Sequence, residues 1–165
     1  MKKVLLLFVL LSTISLSAQN SEIKVDLLDI LVLRTLDVSY EHQLNDEASM
    51  GLSVFINFEP KSNDFRYNED FQITPYFRQF LTDTGGFDVF GELFGTFNFA
   101  ETEEDEFGDT KNYSDFALGL GAGAKHISKN GYIFEINAGI GRNLFNSSVS
   151  RQFVPRFGIS VGKQF

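Results

Sequence analysis

Apolar residues recur at every second position through most of the chain. Between Phe87 and Phe99, one set of alternate positions holds Phe87, Val89, Gly91, Leu93, Gly95, Phe97 and Phe99. The other holds Asp88, Phe90, Glu92, Phe94, Thr96 and Asn98. A period of two predicts a β-strand with two unlike faces, because successive side chains of a strand point to opposite sides. The same alternation sets Phe116, Leu118, Leu120, Ala122 and Ala124 against Ala117, Gly119, Gly121, Gly123 and Lys125. It recurs over Tyr132–Gly141 and Phe153–Phe165, and earlier over Leu36–Glu41, Ala48–Phe58 and Phe71–Arg78. The first segment, about Glu22 to Val32, is the least regular. Ile23, Val25 and Leu27 share a face, but the phase slips at Leu27-Leu28, which predicts a bulge.

These segments make eight strands joined by connections of alternating length. Asn45-Asp46, Asp83–Gly86 and Ser128–Gly131 are short and built of turn residues, whereas Glu59–Glu69, Ala100–Ser114 and Asn143–Gln152 are longer and polar. A first hairpin near Arg34-Thr35 is short on the long-loop side. One face of the strands is Leu, Ile, Val, Phe and Ala, while the other mixes Glu, Arg and Lys with Gly, Ser and Thr. A soluble ligand-binding barrel needs its polar face outside, and a lumen lined with charges suits no greasy ligand. Lipid offers no hydrogen bonds, so strands that cross it must close on themselves. The expected fold is all-β: an eight-stranded antiparallel up-and-down transmembrane β-barrel with short turns at one end and long loops at the other.

The first 18 residues read differently. Lys2 and Lys3 precede an apolar run from Val4 to Leu11, and Ser15, Ser17 and Ala18 follow it. That is the layout of a cleaved signal peptide over residues 1–18, leaving residues 19–165 as the barrel. The chain of 165 residues carries −8, and removal of the two lysines takes it to roughly −10. So acidic a domain is a poor nucleic-acid binder, since phosphate contacts need Lys and Arg. No Cys is present, which excludes a lipidated N-terminal cysteine and disulfide staples. No apolar stretch after the leader is long enough for a membrane helix.

Candidate chemistry changes this picture little. The inward face carries Glu41, Glu92 and Glu135 against Arg78, Lys125 and Arg156. Charges in a narrow lumen must be paired or hydrated, so these six predict an interlocked network that plugs the barrel. Gly51, Gly119, Gly121, Gly123, Gly139, Gly158 and Gly162 on the same face are expected to leave room for the long Arg and Lys side chains. A narrow channel gated by those pairs is the rival reading, and a lipid-modifying enzyme is another. The two histidines, His42 and His126, both fall at turn ends, and no Ser and carboxylate can be assigned to either as a catalytic cluster. The acidic run Glu101, Glu103, Glu104, Asp105, Glu106 and Asp109 does not follow a calcium-loop order and reads as a solvated loop. No catalytic, cofactor-binding or metal-ligating constellation emerges.

Aromatics mark the strand ends. Phe58, Phe71, Phe99, Phe116 and Phe153 fall at the loop ends, and Tyr40, Phe87, Tyr132 and Phe165 at the turn ends, as two interfacial girdles would. The chain closes on Phe165, with Val161, Ile159 and Phe157 on the same face and Lys163 as the one departure. This tail resembles the C-terminal aromatic signal that outer-membrane barrels present to their assembly machinery. Further matching runs are Ser-Ala-Gln at the leader junction, Thr74–Arg78, Gly121–Lys125, Asn130-Gly131, Gly139–Asn143 and Val154–Gly162. On these, the chain resembles the small outer-membrane β-barrel domain families of Bacteroidota, many of unknown function. The resemblance implies residence in the outer membrane, with its lipids and the barrel-assembly machinery as partners and a structural or surface-interaction role. It carries no catalytic residue across and names no surface partner.

Overall fold

The computed structural model describes residues 20–58, 69–83, 86–101, 112–145 and 152–165. Its strands are β1 (Ser21–Asp26), β2 (Thr35–Asn45), β3 (Ala48–Asn57), β4 (Glu69–Asp83), β5 (Asp88–Glu101), β6 (Asn112–Ile127), β7 (Tyr132–Asn143) and β8 (Phe153–Gln164). Each pairs antiparallel with its neighbour in sequence, and β1 pairs with β8 to close the barrel. The leader, residues 1–18, and the acidic run from Glu103 to Asp109 lie outside the described residues, as does the side chain of Glu101.

Local chemistry sets the tight turns. After β2, the Asn45 side-chain oxygen accepts the Glu47 N–H at 2.9 Å, the Asx geometry that reverses a chain without help from the strands. Between β6 and β7, Ser128 takes the N–H of Gly131 on its carbonyl at 2.8 Å and that of Tyr132 on its hydroxyl at 2.9 Å. Gly131 sits at φ +77°, a conformation that L side chains rarely adopt, and an added Cβ would lie 3.0 Å from the Gln164 carbonyl oxygen.

The alternation sorts as the pattern predicts. Leu120, Ile140 and Phe157 are about three-fifths exposed on the outer face (66%, 58% and 62%). Glu41, Arg78, Lys125 and Glu135, each at 1% exposure, are inside. Soluble monomers do not show water so wide an apolar belt, nor bury so many charges in their core. The polarity is that of a barrel whose solvent is lipid. β4, β5 and β6 are the longest strands at 15, 14 and 16 residues. Their loop-side ends carry Glu69, Asp70, Ser114 and Asp115, so these strands run past the apolar band.

The first strand differs from its prediction. It ends at Asp26 rather than near Val32, and there is no bulge at Leu27-Leu28. The cause is the Asp26 side chain. Its Oδ1 accepts the N–H of Leu28 at 2.8 Å and of Asp29 at 3.3 Å, which turns the backbone out of the extended path. A π-helix, Asp29–Leu33, follows and stops at Arg34 in the left-handed region, φ 53° and ψ 37°, whose N–H donates to the Asp29 carbonyl. Leu31 and Val32 point outward, and β2 then starts at Thr35. The doubled leucine marks the start of a helical path with an apolar outer side, not a slip in a strand.

That exit leaves its mark on the barrel wall. The β1–β8 ladder stops at the pair Asp26 and Ser160, so among the described strands none pairs with residues 153–158 of β8 on that side. Asp26 bridges the last step, accepting from Ile159 N–H and Ser160 Oγ at 3.3 and 3.2 Å. Gly158 makes room for it, since a Cβ there would lie 2.3 Å from Asp26 Oδ2.

Candidate functional site

The lumen is the one place where the described residues concentrate polar chemistry, and it has two halves. The turn-side half is filled. Lys24 on β1 donates to Glu41 Oε2 at 2.5 Å and Glu135 Oε2 at 2.6 Å. Arg78 on β4 donates to Glu41 at 2.7 Å, to both oxygens of Glu135 at 2.8 and 2.9 Å, and through Nε to Glu92 at 2.8 Å. Lys125 on β6 reaches Glu22 at 2.9 and 3.0 Å and Glu41 Oε1 at 2.9 Å. The hydroxyls of Ser49 and Tyr76 complete Glu41 at 2.7 and 3.2 Å.

Strand alternation supplies these side chains and the lumen's width supplies their contact. Arg78 and Glu92 are cross-strand partners on β4 and β5, and Lys125 and Glu135 on β6 and β7. The bonds from Arg78 to Glu41 and Glu135 cross the lumen instead. Aromatic rings pack around the cations, with the Arg78 guanidinium 4.1 Å from the Phe90 centroid and 4.6 Å from Tyr76, and Lys125 Nζ 4.8 Å from Phe80. Arg and Lys over ring faces in a desolvated site gain further attraction.

Of the six charges expected inside, Glu41, Arg78, Glu92, Lys125 and Glu135 meet in this cluster. Arg156 stands apart, its Nε 3.2 Å from Glu92 Oε1 but turned off the line of a hydrogen bond. Sequence reasoning misses Glu22 and Lys24. Their signal is present, since they alternate with Ile23 and Val25, but the apparent slip at Leu27 obscures the phase of the first strand. With them, four acids face four bases. The glycines serve a different purpose from the one expected. A Cβ at Gly51 would strike the Tyr76 ring at 2.3 Å, one at Gly119 the Phe94 ring at 2.3 Å, and one at Gly123 the Phe90 ring at 2.4 Å. They make room mostly for aromatic rings; Gly162 admits the Lys24 stem, since a Cβ there would lie 2.6 Å from Lys24 Cγ.

The loop-side half is only partly filled by the described residues, among them Asn98, which donates to Asn143 at 2.9 Å. A cavity of about 310 Å³ lies there, with Leu28, Phe55, Phe94 and Val154 among its apolar walls and Gln72, Asp37 and Arg156 among its polar ones. A second space of about 20 Å³, between Asp26, Asp37, Arg78 and Arg156, suits one water.

The histidines sit at the turn end. His42 Nδ1 lies 3.0 Å from Ser21 Oγ, which also lies 2.9 Å from the Tyr40 hydroxyl. Sequence spacing gives no hint of this Ser–His pair, because β1 and β2 bring it together. Among the described residues no carboxylate orients the imidazole, so the arrangement lacks the third member of a hydrolytic triad. His126 contacts the Gly86 carbonyl and packs on Phe87 at 5.2 Å between ring centroids. Among the described residues no group of His, Cys, Asp and Glu has the arrangement of a metal site. Phe165 is exposed on the outer rim, its N–H donating to Ser21 O at 2.9 Å and its carbonyl accepting from Asn20 N–H at 3.1 Å.

A closed eight-stranded antiparallel barrel, apolar outside and charged inside, is a membrane-spanning β-barrel. Two solved structures share that fold. The backbone structure of the outer membrane protein Ail of Yersinia pestis, in a phospholipid bilayer nanodisc, matches with a TM-score of 0.51 and 15% identity over 89% of this chain and 99% of that one. The crystal structure of Neisserial surface protein A (NspA) matches with a TM-score of 0.56 and 11% identity over 88% and 94%. No family model and no curated protein matches the sequence. The chain therefore has the fold of the small outer-membrane β-barrels.

Proposed function

We propose that this protein is a non-enzymatic resident of the outer membrane, a plugged barrel that holds its long loops outward as an interaction surface. The observation that supports it most is the ion cluster. Lys24, Arg78 and Lys125, buried to 1% exposure, span the turn-side lumen through Glu22, Glu41, Glu92 and Glu135. A solute passing through would have to part several charge-assisted bonds at once, each among the stronger kinds a protein makes. The barrel then serves as a rigid support, and loops carried by rigid scaffolds are where binding usually resides. In this reading residues 1–18 are a cleaved leader and the barrel-assembly machinery recognises Phe165. The short turns face the periplasm, and the acidic run of residues 101–109 lies outside the cell among outer-membrane lipids and a surface partner.

The test is conductance. The full-length mature protein, purified as a heat-modifiable barrel and reconstituted in planar bilayers, is expected to pass no steady current. Discrete single-channel steps from the wild-type protein would replace the plug with the narrow-channel reading.

A further inference from the structure

The cavity in the loop-side half is also open through the wall. Arg156 and Val154 line it from inside the barrel, yet Pro155 and Phe157, the outward-facing neighbours on the same strand, line it too. Leu28 and Asp29, at the start of the π-helix, form the opposite lip. This is the stretch of β8 that β1 does not reach. The Ile159 N–H points to that side, toward Asp26 Oδ1. Amide directions alternate along a strand, so the nitrogens of residues 157 and 155 face the same way. Residue 155 is proline, which brings no N–H to this side of the strand. Irregular backbone at membrane depth is tolerated where it lines a cavity, and the π-helix here does so.

Among the described residues two buried donors on the cavity wall lack hydrogen-bond partners; the one buried acceptor without a partner, Asn98 Oδ1, belongs to a residue that does not line the cavity. Gln72, 8% exposed, makes no hydrogen bond through Nε2, and Arg156 makes none through Nε. Arg156 already stands beside Glu92 and shares the cavity wall with Asp37, so its charge is balanced. The missing ligand group is then an uncharged hydrogen-bond acceptor rather than an anion. Asp29 and Thr96 also line it; the remaining wall, Leu28, Phe55, Phe94, Val154 and Phe157 with Pro155, is apolar and continuous with the lipid-facing surface. The volume is at the lower end of the range for small-molecule sites.

We infer that this opening is a lateral port for one acyl chain bearing a neutral carbonyl head, an acyl ester drawn from the surrounding leaflet. The carbonyl accepts from Gln72, beside Arg156, and the chain leaves between Leu28 and Phe157 into the bilayer. The inference rests on the membrane placement proposed above, and its test separates the two.

The chain contains no Trp, so a single substitution supplies one fluorophore. Phe55→Trp reports from inside the cavity, and Leu120→Trp reports from the lipid-facing surface. Both proteins are folded into phosphatidylcholine vesicles, verified by their heat-dependent gel shift, and given the methyl ester of a nitroxide-labelled stearic acid. The Phe55→Trp signal is expected to quench saturably when the nitroxide sits near the carbonyl and less when it sits near the chain end. Adding Gln72→Leu raises the half-saturating mole fraction roughly three- to tenfold, the factor one hydrogen bond is worth. The Leu120→Trp signal quenches in simple proportion to label in either case. No saturable quenching of Phe55→Trp, or stronger quenching by the chain-end label, overturns the port while Leu120→Trp still quenches. An unquenched Leu120→Trp would overturn the membrane placement itself. Should Phe55→Trp fail to fold, Phe94→Trp reports from the same cavity with the same expected outcomes.

Discussion

At the scale of single residues, Arg78 holds more of this molecule together than any other described side chain. It is 1% exposed and bonds to Glu41, Glu92 and Glu135 on three other strands. Its removal leaves three carboxylates short of a cation in a space that water reaches poorly. Breaking a buried pair in this way costs about 3 to 5 kcal/mol. Arg78→Ala should lower the unfolding midpoint in urea, followed in vesicles by gel shift, while Arg78→Lys keeps a charge but loses the fork and falls between. Unchanged midpoints would show that the cluster contributes no net stability. Gly158→Ala probes a different contact. Its methyl meets Asp26 Oδ2 at 2.3 Å, so Asp26 must move, with a cost of about 1 to 3 kcal/mol typical of overpacking. A protein of wild-type stability would show that the Asp26 bridge is easily displaced.

Among the elements, β1 and the π-helix stand apart. The other strands are legible because their apolar and polar positions alternate through their central stretches, with register shifts confined to the ends of β2 and β4, and a one-residue shift would move every side chain to the wrong face. Strand β5, from Asp88 to Glu101, is readable for this reason down to each inward residue. The end of β1 is not, because it is decided by one side chain capping Leu28 and Asp29, and hydropathy does not see such local chemistry. The same limit hides part of the site. Cross-strand partners such as Arg78 and Glu92 follow once register is known, but Arg78 and Glu135 meet only across the lumen, 57 positions apart in the chain. Asp26→Ala should therefore loosen one element and spare the rest. Amide exchange by NMR is expected to speed up at Leu28, Asp29 and Ile159, with β5 and β6 unaffected. Uniform loss of protection would mean that Asp26 supports the whole barrel.

For the whole molecule, the division of the lumen matters most. Among the described residues it is filled by ion pairs at the turn end and keeps a cavity toward the loop end, so its two halves differ. That difference accounts for expected silence in bilayers together with a site open to the leaflet. It also allows the two halves to be altered separately, since Phe55 and Gln72 lie outside the ion cluster.

The ion cluster has a consequence for how the barrel comes into being. Its members arrive on β1, β2, β4, β5, β6 and β7, and Lys24 on the first strand joins acids on the second and the seventh. A sheet that has entered the bilayer but not yet met its own first strand would hold Glu135 without one of its two cations. Closure and neutralisation are thus a single event, and a half-zipped intermediate is penalised in proportion to the charge left over. On the proposed plugged reading, the cluster is a latch completed only when β1 joins the sheet. Lys24→Met should slow the final phase of folding into vesicles, timed by the gel shift, while leaving the initial adsorption to lipid as fast as in the parent protein.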